Sequence, residues 1–178
     1  DSLIRWGGEE FLVVGRQLQI TEAATLAQRI LEAIRSSPFV LDDGQPLPIT
    51  CSIGWAGLPL LPSHPDLLMW ERVLDLADQC LYAVKLSGRN GWIGLTPGLP
   101  LPPDASLFQP SNSTPRLEDL VHQGVVKSHT SLPPERPILC TPERSVELTG
   151  WSPPRVLGTR GVQGVVVASQ PGSPSDGA

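Results

Sequence analysis

Proline is spread so unevenly that it divides this chain in two. Fourteen of its 20 prolines follow Thr96, in a chain of 178 residues. Proline fixes φ and lacks a backbone N–H, so it interrupts helices and sheet ladders alike. Large apolar side chains show the same division. Ile, Leu, Val, Met, Phe, Trp or Tyr fill 37 of the first 95 positions but 21 of the last 83. Runs such as "PGLPLPPD", "SLPPERP" and "SQPGSPSDGA" favour extended, solvated chain. The expected organisation is one α/β domain over residues 1–95 and a largely disordered tail over 96–178. Within the tail, only a short helix around Pro115–Gln123 and a strand at Val162–Ala168 have the pattern of regular structure.

The first stretch is patterned throughout. Leu3–Trp6 and Phe11–Val14 read as two short strands joined at Gly7–Gly8, a pair that tolerates positive φ. Thr21 is a candidate cap for a helix to about Ser36, with Ala23, Leu26, Ala27, Ile30, Leu31 and Ile34 at helical spacing. Asp42–Asp43–Gly44 predicts a turn. Ile49–Trp55 predicts a strand in which Ile49, Cys51 and Ile53 alternate. Pro59, Pro62 and Pro65 mark a loop. Asp66 is a candidate cap for a helix from Leu67 to Ser87, with Leu68, Val73, Leu74, Ala77, Leu81 and Val84 on one face and Gly88 as its stop. Trp92–Leu95 is the last strand. The order β-β-α-β-α-β predicts a mixed sheet with helices packed on it.

Several functions are disfavoured by composition. A net charge of −5 and an isoelectric point near 5.1 leave no basic stripe to replace the counter-ions of a nucleic acid. No apolar run approaches the ~18 residues that span a bilayer, and no signal peptide is visible. Met69 is the only methionine, so the chain reads as a fragment. Cys51, Cys80 and Cys140 are far apart and form no C-x-x-C pair, which suits small buried residues in a reducing, cytoplasmic setting. His64, His122 and His129 share no metal-ligand spacing.

One stretch carries chemistry. "IRWGGEEFLVV", residues 4–14, sets Glu9 beside Glu10 at the tip of the expected hairpin. Adjacent carboxylates repel unless a cation lies between or above them. Counter-ions in water meet that need at most hairpin tips, and a bound metal meets it at a site. Lys85 and Arg89 lie at the end of the second helix, where cations complement the helix dipole. Asp78 reads as a solvated helix carboxylate. Trp6, Trp55 and Trp92 read as core or near-core aromatics.

Three stretches together resemble the signature of GGDEF domains, the diguanylate cyclases. "RWGGEEFLVV" is similar to the signature hairpin in its GGEEF form. "TCSIGWA" (50–56) resembles the family's S-I-G strand, and "LADQCLYAVKLSGRNGW" (76–92) resembles its A-D-x-x-L-Y-x-A-K-x-x-G-R-N ending. The resemblance covers about residues 1–95. It implies the α+β, ferredoxin-like palm of nucleotide cyclases, here lacking its N-terminal part. It also implies that two GTP molecules are joined into cyclic di-GMP with release of pyrophosphate, by a homodimer that holds one GTP in each half. Glu9 matches the family's metal ligand and proposed base, and Glu10 the second carboxylate of the same metal site. Gly7 and Gly8 let the backbone approach the nucleotide, and Lys85 and Arg89 hold its phosphates. The implied cofactor is Mg²⁺ or Mn²⁺, since the reaction needs a cation on the phosphate oxygens.

The resemblance also implies an inhibitory product site of the R-x-x-D type. Asp1 lies where its aspartate falls, and Arg29 lies near another family arginine that contacts the inhibitor. The family's first strand and two helices, with a further metal-binding aspartate and the guanine-binding residues, precede the hairpin and are not in this sequence. That strand is central in the sheet. Its lack predicts that the hairpin and the Ile49–Trp55 strand have no neighbour between them, that the fragment is poorly stable, and that it makes no product alone. Upstream sensory modules are the usual input in the family. The alternative reading is a non-catalytic module that senses GTP or cyclic di-GMP.

Overall fold

Strand β5, Ser52–Ala56, is buried along its whole length, with both faces covered. Its residues alternate as a strand requires. Ile53 and Trp55 join Cys51, Ala23, Ala27, Leu31 and Trp92 in one apolar cluster against helix α1, Ile20–Ser36. Gly54 faces the other way, onto helix α2, Trp70–Leu86. A Cβ at Gly54 would lie 2.0 Å from the Ala77 carbonyl oxygen and 2.4 Å from the Leu81 nitrogen. The missing side chain is what lets α2 sit directly on the strand.

The rest of the fold is built around β5 in a computed structural model that describes residues 1–99, 114–136 and 138–140, and the backbone of 162–169. Strands β1, Ser2–Gly7, and β2, Glu10–Arg16, form the hairpin. β3, Phe39–Val40, and β4, Pro46–Leu47, form a small separate ribbon around the expected turn at 42–44. β6, Gly91–Pro97, runs parallel to β5, with α2 as the crossover helix between them. Helix α3, Leu117–His122, and strands β7, Val126–Thr130, and β8, Val162–Ser169, follow. The main sheet has the order β1-β2-β8-β5-β6-β7, with β7 and β8 antiparallel to their neighbours. This is the mixed α/β sheet expected from the sequence.

Helix faces agree with the apolar spacing. Ala23, Ala27 and Leu31 of α1 are buried, as are Val73, Leu74, Ala77, Leu81 and Val84 of α2. Helix starts do not agree. α1 is capped by Gln19, not Thr21: the Gln19 backbone N–H donates to Glu22 Oε2 at 2.7 Å. α2 begins at Trp70, after Met69, not after Asp66. Turns closed by His64 N–H to the Leu61 carbonyl and by Leu67 N–H to the His64 carbonyl occupy the residues in between. Leu68 is buried from this loop and not from the helix. Gly88 does end α2, with φ +99° and the Arg89 N–H bonded to the Val84 carbonyl, the arrangement of a Schellman stop.

The gap expected beside β5 is corrected by the structure. β8 occupies it, antiparallel to both β2 and β5, with Val166 opposite Val13 on one side and Trp55 on the other. The run Val165–Val166–Val167 suits that slot, because β-branched residues favour extended backbone and a central strand has both edges satisfied. The helix and strand expected near 115–123 and 162–168 are both present. β7 was not expected. Leu117, Leu120, Val125, Val126 and Leu132 are buried in the cluster beneath α2, so this part of the Pro-rich stretch is docked on the domain. The disorder expected at 100–113, 137, 141–161 and 170–178 concerns positions outside the described residues.

Candidate active site at the hairpin and the end of the second helix

The hairpin turn is two residues, Gly8 and Glu9, since Gly7 pairs with Glu10 across it. Gly8 has φ +51°, a conformation that glycine adopts without the Cβ penalty. Nothing lies within 4 Å of a Cβ placed at Gly7 or Gly8, so the backbone there is open to a ligand. Arg5 staples the turn from β1: its Nε and Nη2 donate to the Gly8 carbonyl at 3.0 and 2.8 Å. Glu9 is fully in the turn and exposed, whereas Glu10 opens β2 and is half-buried.

Glu10 is not left to repel its neighbour. Lys85 Nζ donates to Glu10 Oε1 at 3.4 Å, from the last turn of α2. Two expected site residues from separate motifs are thus brought together across the sheet. Arg89 follows one turn later, exposed, in a run of three left-handed residues: Gly88 at φ +99°, Arg89 at +57° and Asn90 at +55°. Arg35, from the end of α1, grips that run. Its Nε donates to Asn90 Oδ1 and its Nη2 to the Asn90 carbonyl, both at 2.8 Å. On the far side, Arg136 Nη1 donates to the Arg89 carbonyl at 3.2 Å.

Other expected residues are placed elsewhere. Asp1 Oδ1 accepts the Arg16 backbone N–H at 3.0 Å, and Arg29 is exposed on α1. No ion pair joins Asp1 to Arg29 among the described residues. Trp55 and Trp92 are buried core residues and Trp6 packs at the core edge. Asp78 is half-buried on α2. The three cysteines are free thiols. Burial pushes the Cys51 thiol up to about 11, against a smaller opposite effect of Arg35, and raises Cys80 and Cys140 as well. A cavity of about 510 Å³ between α3 and β7 is lined by Leu117, Val121, His122 and Cys140, and by no residue of the hairpin.

Sequence reasoning missed Arg5, Arg35 and Arg136. Arg5 had a local signal, lying three residues before the carbonyl it holds. Arg35 and Arg136 had none, because their partners are 55 and 47 positions away.

The arrangement sets hard oxygen donors at an open turn and cations at a helix end beside it. That suits a polyanion carrying a divalent metal. Among the described residues, no group of three or more His, Cys, Asp or Glu could hold a metal, so Glu9 and Glu10 could supply only part of a ligand shell. No helix of the described residues is long and apolar enough to cross a membrane.

The family model "Diguanylate cyclase, GGDEF domain" matches residues 1–91. The uncharacterized protein YhcK of Bacillus subtilis is 39% identical over 90 residues, 51% of this chain and 24% of its own length. Diguanylate cyclase DosC of Escherichia coli K12 is 32% identical over 90 residues, 51% of this chain and 18% of its own. The response regulator PleD of Caulobacter vibrioides is 35% identical over 95 residues, 53% of this chain and 20% of its own. The chain thus spans about a quarter or less of these relatives. No solved structure matches.

Proposed function

Because this chain belongs to the GGDEF domain family of diguanylate cyclases, we propose that it supplies the acidic hairpin and the phosphate-binding turn of an enzyme making cyclic di-GMP. Two GTP molecules are joined in two equivalent steps. In each, a 3′-hydroxyl oxygen forms a bond to the α-phosphorus of the opposite nucleotide. The bond from that phosphorus to the pyrophosphate oxygen breaks, and pyrophosphate leaves with the electron pair. Glu9, exposed at the turn, accepts the proton of the attacking hydroxyl. Glu9 and Glu10 offer carboxylate oxygens to Mg²⁺ or Mn²⁺. They fit such an ion as part of its shell, as Mg²⁺ commonly keeps waters and takes substrate phosphates beside one or two carboxylates. When bound, the ion offsets charge on the phosphate oxygens. Gly7 and Gly8 leave room for the nucleotide, and Lys85 and Arg89 bind its phosphates. Two copies of the site must face each other, so the working form is a homodimer, with sensory input from further domains.

The observation that carries this reading is the contact of Lys85 with Glu10, which joins the acidic motif to the cationic one. The test uses a longer protein carrying this segment, incubated with GTP and Mg²⁺ and resolved by anion-exchange chromatography. Cyclic di-GMP is the expected product. Glu9→Gln is expected to lower its formation by at least about 100-fold, with the melting temperature unchanged. Near-normal turnover by that variant would remove Glu9 from the chemistry. The alternative reading is a GTP or cyclic di-GMP sensor without catalysis. Nucleotide binding with no product would select it.

A further inference from the structure

The turn that ends α2 is held from outside the stretch that the family model matches. β7 returns the chain to the start of β6, where Trp92 N–H donates to Ser131 Oγ at 2.8 Å and Ser131 N–H donates to the Trp92 carbonyl at 3.0 Å. Leu132 is buried over Gly91, where a Cβ would lie 2.5 Å from its Cδ2. A turn closed by Arg136 N–H on the Pro133 carbonyl then directs Arg136 onto the end of α2. Its guanidinium carbon is 3.4 Å from the Cβ position of Gly88, and its Nη1 donates to the Arg89 carbonyl. Leu139 N–H donates to Ser87 Oγ at 3.0 Å, on the residue before Gly88.

This fastening has a physical purpose. Arg89 and Asn90 both hold left-handed backbone, which costs energy for residues with a Cβ and persists only when neighbours impose it. The two carbonyls of that pair accept guanidinium hydrogen bonds, from Arg136 at residue 89 and from Arg35 at residue 90. Such charge-assisted bonds are the stronger kind. They also gather cations. Arg35, Arg89 and Arg136 form no ion pair among the described residues, and Lys85 alone meets an acid there.

We propose that Arg136 is a positioning residue of the phosphate-binding turn: through the Arg89 carbonyl it fixes the backbone from which Arg89 meets the nucleotide's phosphates. The proposal rests on the reading above that Lys85 and Arg89 bind those phosphates. It assigns residues after β7, beyond the matched stretch, a part in the site.

The test is a double-variant cycle in the same longer protein carrying this segment, with inorganic tripolyphosphate and Mg²⁺ as the probe, followed by titration calorimetry. Thermal melting verifies that each variant is folded. R89A is expected to weaken binding by about tenfold or more, the loss of a charge-assisted contact. R136A is expected to weaken it by about three- to tenfold, with R136K recovering part of the loss. R136A added to R89A is expected to cost nothing further, since residues acting through one another are not additive. Full additivity would make Arg136 an independent anion contact and overturn the positioning role. An unaltered affinity in R136A, with R89A weakened, would overturn the proposal and leave the phosphate-site reading standing. If the unaltered chain binds neither tripolyphosphate nor GTP, the underlying reading fails and the proposal with it.

Discussion

Lys85 Nζ and Glu10 Oε1 lie 3.4 Å apart although 75 residues separate them in the chain. One is in the last turn of α2 and the other opens β2, so their meeting depends on the whole sheet between them. Their side chains are 31% and 39% exposed. A pair so wetted adds little to stability, under about 1 kcal/mol. Lys85→Ala is therefore expected to leave the melting temperature nearly unchanged while weakening Mg²⁺–GTP binding by about tenfold. Calorimetry and thermal melting on the same samples check both halves; a large fall in stability with normal binding would reverse the roles.

Gly8 and Gly54 resist a side chain for different reasons, and substitution separates them. At Gly54 an added Cβ meets the backbone of α2, which cannot rotate away. Gly54→Ala is expected to cost about 3 kcal/mol. At Gly8 the space is open and only the positive φ opposes a side chain. Gly8→Ala is expected to cost about 1–2 kcal/mol. Urea unfolding of both variants tests the order, and equal costs would contradict the packing at Gly54.

The place of β8 predicts an exchange pattern. Val166 lies opposite Val13 and Trp55, in the middle of both ladders. Val166→Pro removes a donor that a central strand cannot spare. Amides of Phe11–Gly15 and Ser52–Ala56 are expected to lose protection from hydrogen exchange, while those of α2 keep theirs. Unaltered protection in β2 would place another partner beside it.

Alkali should destabilise this fold through its buried thiols. Burial raises Cys51 from 9.0 to about 11. Between those values the native thiol keeps its proton and the unfolded one loses it. The native state then binds more protons, so stability falls as pH rises, by about 1.4 kcal/mol per pH unit for each such group. Cys80, raised in the same direction, adds to the fall. Cys51→Ala is expected to flatten the dependence between pH 9 and 11, measured by denaturant midpoints. An unchanged slope would show that Cys51 is not shielded.

Local features were readable from the residues alone. The strand pair around Gly7–Gly8, the buried faces of α1 and α2 and the stop at Gly88 follow from side-chain spacing and φ preference, which act within a few residues. The starts of α1 and α2 differ from the candidate caps Thr21 and Asp66 because cap preference is weak: a Gln19–Glu22 capping box opens α1, and hydrogen-bonded turns over 61–67 precede α2. β7, the seat of β8, the Lys85–Glu10 pair and the hold of Arg136 on Arg89 were decided only by the tertiary structure. Each joins segments tens of residues apart, and a hydrogen bond over that distance leaves no period, cap or turn signal in the chain that forms it.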